Sequence, residues 1–291
     1  MITVKITGGL GNQLFQYAAA RSLAIKLKTD VILDISEFKI KKHRQFLLHK
    51  FNIKANYADQ NNRNKYFKFS FYLPDLLQRK IHMVFAFLFD DLVYEKMFTY
   101  DAEFFNLPDN IYLIGFWQSP KYFKKIYNLL LNEITLKKTL SAYSRTVLHK
   151  IKHSNSVSVN FRRGDFVTDP QIHKRHGVLS LDYYQKAVNL LSGKIKNPHF
   201  FLFSDDINWV KKNWTGNFPA TFVENNYPNR QEEDLVLGSR CQHHILANST
   251  FSWWTAFLNN RKDKQVIAPV KWFDQLKYDT YDLFPKEWLS I

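Results

Sequence analysis

Within this 291-residue chain, Arg162-Arg163-Gly164-Asp165 is the stretch best equipped for chemistry. Two adjacent guanidiniums suit a doubly charged anion such as a diphosphate, because arginine offers permanently charged donor forks that match phosphate geometry. Gly164 permits a tight turn, and Asp165 then hangs over the same edge. Taken alone, the same residues also describe a surface turn whose Arg and Asp pair with each other. Other polar clusters follow apolar runs in the same way: Asn12-Gln13 behind Gly9 and Gly11, Ser204-Asp205-Asp206, and Asn248-Ser249-Thr250.

Each of these clusters sits where a strand is expected to end. Ile2–Ile6 alternates as a strand, and the Gly-rich turn Gly8–Gln13 leads into a helix with Phe15, Ala18, Ala19 and Leu23 on one face. Val31–Asp34 reads as the next strand. Ile111–Trp117 reads as another, followed by a helix opened by Ser119-Pro120 whose pattern continues, with a break, to Lys152. The second half restarts the alternation, with strands at Val157–Phe161, His199–Phe203, His244–Ala247 and Val266–Ala268. Helices are expected between them near Leu181–Leu191, Gln231–Arg240 and Phe251–Leu258. Short apolar strands alternating with helices predict an α/β protein with parallel sheets buried on both faces. Two such runs predict two Rossmann-like domains, 1–150 and 151–291. Residues 38–110 are aromatic, basic and irregular, and Ile81–Leu88 reads as a core helix, with a membrane-surface contact as the alternative.

Ligands of open α/β sheets bind beyond the carboxyl ends of the strands. The expectation is that the four polar strand ends share one rim and form a nucleoside diphosphate site. Arg162 and Arg163 would take the phosphates, helix-start hydroxyls and amides would assist, and Asp205 and Asp206 would take ribose or base groups. Asp205-Asp206 lacks the Asp-x-Asp spacing of a metal-bridged diphosphate, and two arginines remove the need for a metal. Gly9-x-Gly11 with Asp34 imitates a dinucleotide fingerprint, but the third glycine is Leu14, which weakens the oxidoreductase alternative.

Composition narrows the classes further. The formal net charge of +15 favours acidic partners, yet no zinc, helix-turn-helix or RNP signature supports nucleic acid. A single cysteine, Cys241, rules out an internal disulfide and fits a reducing compartment. The N-terminus lacks the pattern of a signal peptide, so the expectation is a cytoplasmic protein whose basic surface can rest on the inner face of an anionic bacterial membrane.

Five segments together resemble the α-1,2-fucosyltransferases of bacteria and animals. They are Gly8–Ala18, Asn160–Val167, His176–Tyr184, Phe203–Asp206 and Asn248–Leu258, and the likeness spans nearly the whole chain. The resemblance implies a GT-B-like fold of two facing α/β domains, GDP-fucose as donor and no metal. It also implies inverting transfer to the 2-hydroxyl of a galactose in a surface glycan or its precursor. The family's HxRRxD pattern falls on Asn160, Arg162, Arg163 and Asp165. Its usual histidine is Asn160 here, which can replace a hydrogen bond but not a titrating imidazole. The resemblance places Ser249, Thr250 and Ser252 at the phosphates, with Asn248 beside them, Asp234 at the guanine, and Gly9, Gly11, Asn12 and Gln13 in the first domain. Arg162, then Arg163, would stabilise the leaving group; Asp165, Asp169 and His176 are the candidates to take the acceptor's proton.

Overall fold

The computed structural model describes residues 1–40, 44–58, 91–95, 98–224, 229–274 and 280–291. The helix expected at Ile81–Leu88 lies outside them. The chain forms two compact units, 1–134 with 279–283, and 135–278 with 284–291.

Among the described residues the first unit has a five-stranded parallel sheet of order β3-β2-β1-β5-β4. Its strands are β1 (Ile2–Lys5), β2 (Val31–Asp34), β3 (Asn56–Tyr57), β4 (Leu92–Tyr94) and β5 (Ile111–Ile114). Helix α1 (Leu10–Leu27) joins β1 to β2 and is buried from Leu10 to Ala24 almost without interruption, its apolar residues in the core and its buried Gln13 and Gln16 hydrogen-bonded to backbone. A short helix, α2 (Glu37–Ile40), follows β2, and α3 (Tyr127–Glu133) is tied back to α1. Glu133 accepts the Tyr17 hydroxyl and a two-armed contact from Arg21, the shorter arm 2.8 Å. The strand expected over Ile111–Trp117 stops at Ile114 because Gly115 packs against Glu95, where any Cβ would sit 2.3 Å from the Glu95 Cβ. Trp117 then takes a left-handed φ of 56°. The pattern expected from Ser119 to Lys152 begins as isolated turns, with Ser119 capping the first.

The second unit is a six-stranded parallel sheet of order β11-β10-β9-β6-β7-β8. These are β6 (Asn155–Phe161), β7 (Pro198–Ser204), β8 (Ala220–Phe222), β9 (His243–Ile245), β10 (Val266–Ala268) and β11 (Leu289–Ser290). Counted from β6, this is the 3-2-1-4-5-6 order of a doubly wound nucleotide-binding sheet, and its direction reverses between β6 and β9. The helices are α4 (Ala142–Lys152), α5 (Gly164–Thr168), α6 (Pro170–His176), α7 (Leu181–Ser192), α8 (Ile207–Asn213), α9 (Gln231–Arg240) and α10 (Thr250–Phe257).

Strand β6 has two unlike buried faces. Val157, Val159 and Phe161 join Tyr183, Tyr184, Ala187, Val188 and Leu191 of α7 in one core. Ser156, Ser158 and Asn160 point the other way and are also buried. Small polar residues there leave room for α9 and α10 to close over the strand. Gly238 of α9 lies so near α10 that an added Cβ would stand 2.9 Å from Thr255 Cγ2 and 3.5 Å from Ser158 Oγ. Gly238→Val should therefore overpack this layer and cost about 2–3 kcal/mol, read as a lower midpoint in urea unfolding.

Candidate functional site

The polar strand ends divide between the two sheets. Asn12 and Gln13 follow β1 of the first sheet, whereas the other three clusters follow strands of the second sheet. Gln13 is fully buried and its amide serves the backbone: Nε2 donates to Gly8 O at 3.0 Å and Gln45 O at 2.8 Å, and Oε1 accepts from Leu47 N at 2.9 Å. It builds the loop rather than facing a ligand. Gly11 is buried inside α1, while Gly9 opens outward, its Cβ position meeting nothing nearer than Arg44 Nη1 at 4.0 Å. Gly8, at φ 76°, makes the turn that brings Asn12 across it.

A second amide closes this end of the sheet. Gln16 accepts from Thr7 N at 3.0 Å and donates to Gly115 O at 3.1 Å, stitching the exits of β1 and β5 where the strand order reverses. Gln118 donates to Asn12 Oδ1 at 3.1 Å from the loop after β5. Glu95 holds that loop by accepting from Phe116 N and Trp117 N at 2.6 and 2.9 Å, which stabilises the left-handed Trp117. Asp34 is buried and accepts from Ser36 N at 2.9 Å and the Tyr112 hydroxyl at 2.6 Å. Both its oxygens are thus occupied, which removes the acidic end of the dinucleotide fingerprint.

In the second unit three clusters do share a rim. Phe161 is in register with Ser204 of β7, and Val159 with Ile245 of β9. Arg162, Asp205 and Asn248 follow these pairs at the carboxyl ends of adjacent strands, at the reversal point of the sheet. Arg162 Nη1 donates to Asp205 Oδ2 and Nη2 to Asp165 Oδ1, both at 2.5 Å. Its guanidinium lies 5.1 Å from the centre of the Phe166 ring. Asp205 is a positioning group: Oδ1 accepts from Arg163 N at 2.8 Å, and a Cβ on Gly164 would come within 2.6 Å of Oδ2.

The two arginines take different partners. Arg163 stacks on the Trp209 ring, 3.6 Å from its centre, and its Nε is 3.5 Å from Asp206 Oδ2. Asp206 in turn caps α8 by accepting from Trp209 N at 3.1 Å. Arg163 and Asp206 thus anchor the turns that carry Arg162 and Asp205. Asn160 is buried under the rim, its Nδ2 donating to Ser158 Oγ at 3.0 Å. It supports the strand from below, in line with a hydrogen-bonding rather than a titrating role.

Behind Arg162 runs an aromatic stack. Phe166 lies on the His176 ring with centres 4.7 Å apart, and Phe273 packs on His176 at 5.1 Å. Burial first, then the Arg175 charge, pushes the His176 imidazole down to about 4, with Asp165 opposing and Arg162 reinforcing the shift. His176 is therefore neutral at physiological pH. Between its ordinary value of 6.5 and about 4, the unfolded chain binds a proton that the folded chain refuses, so stability falls as pH falls through that window. The expected slope from this group is about 1.4 kcal/mol per pH unit. Urea midpoints measured from pH 7 to 4.5 should fall less steeply for His176→Phe than for the parent chain. Asp169 is engaged differently: it caps α6 by accepting from Gln171 N and Ile172 N at 2.9 and 3.2 Å.

The β9–α10 turn completes the rim. Asn248 donates to His176 O at 2.9 Å and Trp272 O at 3.4 Å, tying the turn to α6. Ser249 caps α10, accepting from Phe251 N at 3.3 Å, and Thr250 begins the helix. The backbone N–H groups at this start face the same carboxyl-end rim, a favourable place for an anion. Ser252 is buried, and its single hydroxyl proton is shared between Ala247 O and Ser249 O, both 2.8 Å away, so it shapes the turn. Asp234 sits half-buried in the first turn of α9 beside Glu232 and Glu233. Glu233, which was not singled out in the sequence, fixes that turn by accepting from Ser141 Oγ at 2.7 Å. The roles of Gln16, Gln118 and Glu95 were missed too; amide and carboxylate types give no hint of a partner about 20 to 100 residues away.

Among the described residues, no helix is long and apolar enough to cross a membrane. A family model described as glycosyl transferase family 11 matches residues 1–291. The chain is 31% identical over 301 residues to an alpha-1,2-colitosyltransferase of Escherichia coli, covering 100% of this chain and 99% of that protein. It is 32% identical over 294 residues to the O-antigen biosynthesis glycosyltransferase WbnK of the same species, covering 92% and 93%. Galactoside alpha-(1,2)-fucosyltransferase 1 of Bos taurus is 26% identical over 154 residues, half of this chain and 43% of that protein. The crystal structure of fucosyltransferase NodZ from Bradyrhizobium superposes with a TM-score of 0.50 at 13% identity, covering 88% of this chain and 93% of that one, a likeness of fold.

Proposed function

This enzyme belongs to glycosyl transferase family 11, the α-1,2-fucosyltransferase family, and on that premise we propose that it moves L-fucose from GDP-fucose to the 2-hydroxyl of a galactose in a surface glycan or its precursor. The observation that carries the proposal is Arg162. It stands at the reversal point of a nucleotide-binding strand order, with Asp205 fixing one arm of its fork. The second unit then takes the donor and the first unit the acceptor.

In this reaction the acceptor oxygen bonds to the fucose anomeric carbon as that carbon's bond to the β-phosphate breaks. The electron pair leaves with GDP, and the configuration inverts. Arg162 stabilises the charge that builds on the departing phosphate, assisted by the N–H groups at the start of α10. The proton passes to Asp165 or to the neutral His176, both of which belong to the Arg162 cluster. Asp234 offers a carboxylate to the guanine. No step calls for a metal.

A second reading concerns the donor. The colitosyltransferase relative matches end to end, and colitose is fucose without its 3-hydroxyl. The deciding assay measures GDP release from GDP-fucose and from GDP-colitose with a panel of β-galactosides, followed by NMR of the product linkage. Turnover of GDP-fucose to a 1,2-linked product is the expected result. Turnover of GDP-colitose alone would establish the second reading, and release from neither would sink both.

A further inference from the structure

Arg162 holds two carboxylates that differ in how firmly they are built in. Asp205 is 3% exposed, bonded through both oxygens and walled in by Gly164. Asp165 is 23% exposed and lies in the first turn of the five-residue helix α5. A guanidinium presents its five N–H donors in one plane, and with Nη1 on Asp205 and Nη2 on Asp165 a diphosphate that binds both ends of the fork competes with a carboxylate. We propose that Asp165 is a stand-in for the donor's phosphate: it neutralises Arg162 in the free enzyme and is displaced from Nη2 when the nucleotide diphosphate binds. Asp205 stays and aims the guanidinium. This inference rests on the GDP-sugar reading above and divides the two carboxylates of that site into opposite roles.

The physical case is one of charge balance. Arg162 is only 19% exposed, so leaving it unpaired between turnovers would impose a desolvation cost on the free fold. The Asp165 carboxylate offsets that cost, and at 23% exposed against 3% for Asp205 it is the less enclosed of the two and the one able to exchange. The incoming diphosphate carries more charge than a carboxylate and makes the stronger partner. The displaced carboxylate is then released from its cation close to the reacting atoms, which makes it a better proton acceptor than the paired form.

The test is GDP affinity by calorimetry on the full chain, with thermal unfolding as a check on folding. Asp165→Asn should bind GDP roughly five- to tenfold more tightly, because a competitor and a negative charge are both removed. Asp165→Ala should change in the same direction. Asp205→Asn should bind GDP at least tenfold more weakly while remaining folded. If the parent chain binds GDP but both Asp165 variants bind it equally or more weakly, Asp165 is an orienting group and the proposal is overturned alone. If the parent chain binds no GDP, the functional reading falls and this proposal falls with it.

Discussion

Arg162→Ala should lower transfer by about a thousandfold or more in protein that still unfolds cooperatively, at a lower temperature than the parent. The fork is the cationic group placed at the reversal point of the second sheet, and its loss removes stabilisation that grows only as the phosphate departs. A single preorganised donor aimed at developing charge is worth roughly 3–4 kcal/mol, and a full guanidinium exceeds one donor. Stability falls as well, because truncation leaves the buried Asp205 carboxylate without its cation and with one fewer donor, so the rate is read on protein whose thermal transition shows it to be folded. Arg162→Lys keeps the charge but not the fork and should recover only a small part of the rate. Single-turnover rates with saturating donor would read both effects. An alanine variant retaining more than a tenth of the parent rate would remove Arg162 from the chemistry.

Gly164→Ala is expected to be nearly as damaging to activity, by about a hundredfold, through a single methyl group. The new Cβ would stand 2.6 Å from Asp205 Oδ2 and 3.1 Å from its Cγ. The carboxylate cannot simply swing aside, because it is buried and bonded to both Arg162 Nη1 and Arg163 N. Either Asp205 tilts, and Arg162 tilts with it, or the α5 turn lifts. Misplacing a charged group by an ångström forfeits much of an electrostatic effect that depends on preorganisation. Gly164 has an ordinary negative φ, so the defect is one of space rather than of backbone strain. Parallel measurements of rate and of thermal midpoint separate the two explanations: a large loss of rate with a shift of only a few degrees is expected.

The chemistry-bearing rim of the second unit was legible because its signals are local. A run of β-branched and aromatic residues followed by charge marks a strand end, and three such ends fall on adjacent strands. The direction of each side chain beyond the strand was not legible. Arg163 follows Arg162 directly, yet it leaves the chain toward Trp209, because Arg163 has φ −130° and ψ −75° and no longer obeys strand alternation. Gln13, Ser252, Asp34 and Asp169 have side chains suited to ligands, but backbone groups claim them first. Short elements also escaped: β3, β4, β8, β11, α5, α6 and α8 span seven residues or fewer, too little for a periodic pattern to emerge. Asn160 was conspicuous as a departure from the family pattern, and its burial beside Ser158 gives that departure a steric setting.

The first unit contains a second piece of chain, residues 279–283, drawn from close to the other end of the sequence. Asp282 accepts from Tyr100 N at 2.9 Å and pairs with Lys121. During synthesis the first unit's amino-terminal part leaves the ribosome first, yet Asp282 arrives only after most of the second unit has been made. The order of translation and the order of completion therefore differ: the unit that begins first receives its last piece of chain after the strands from β6 to β10 have been translated.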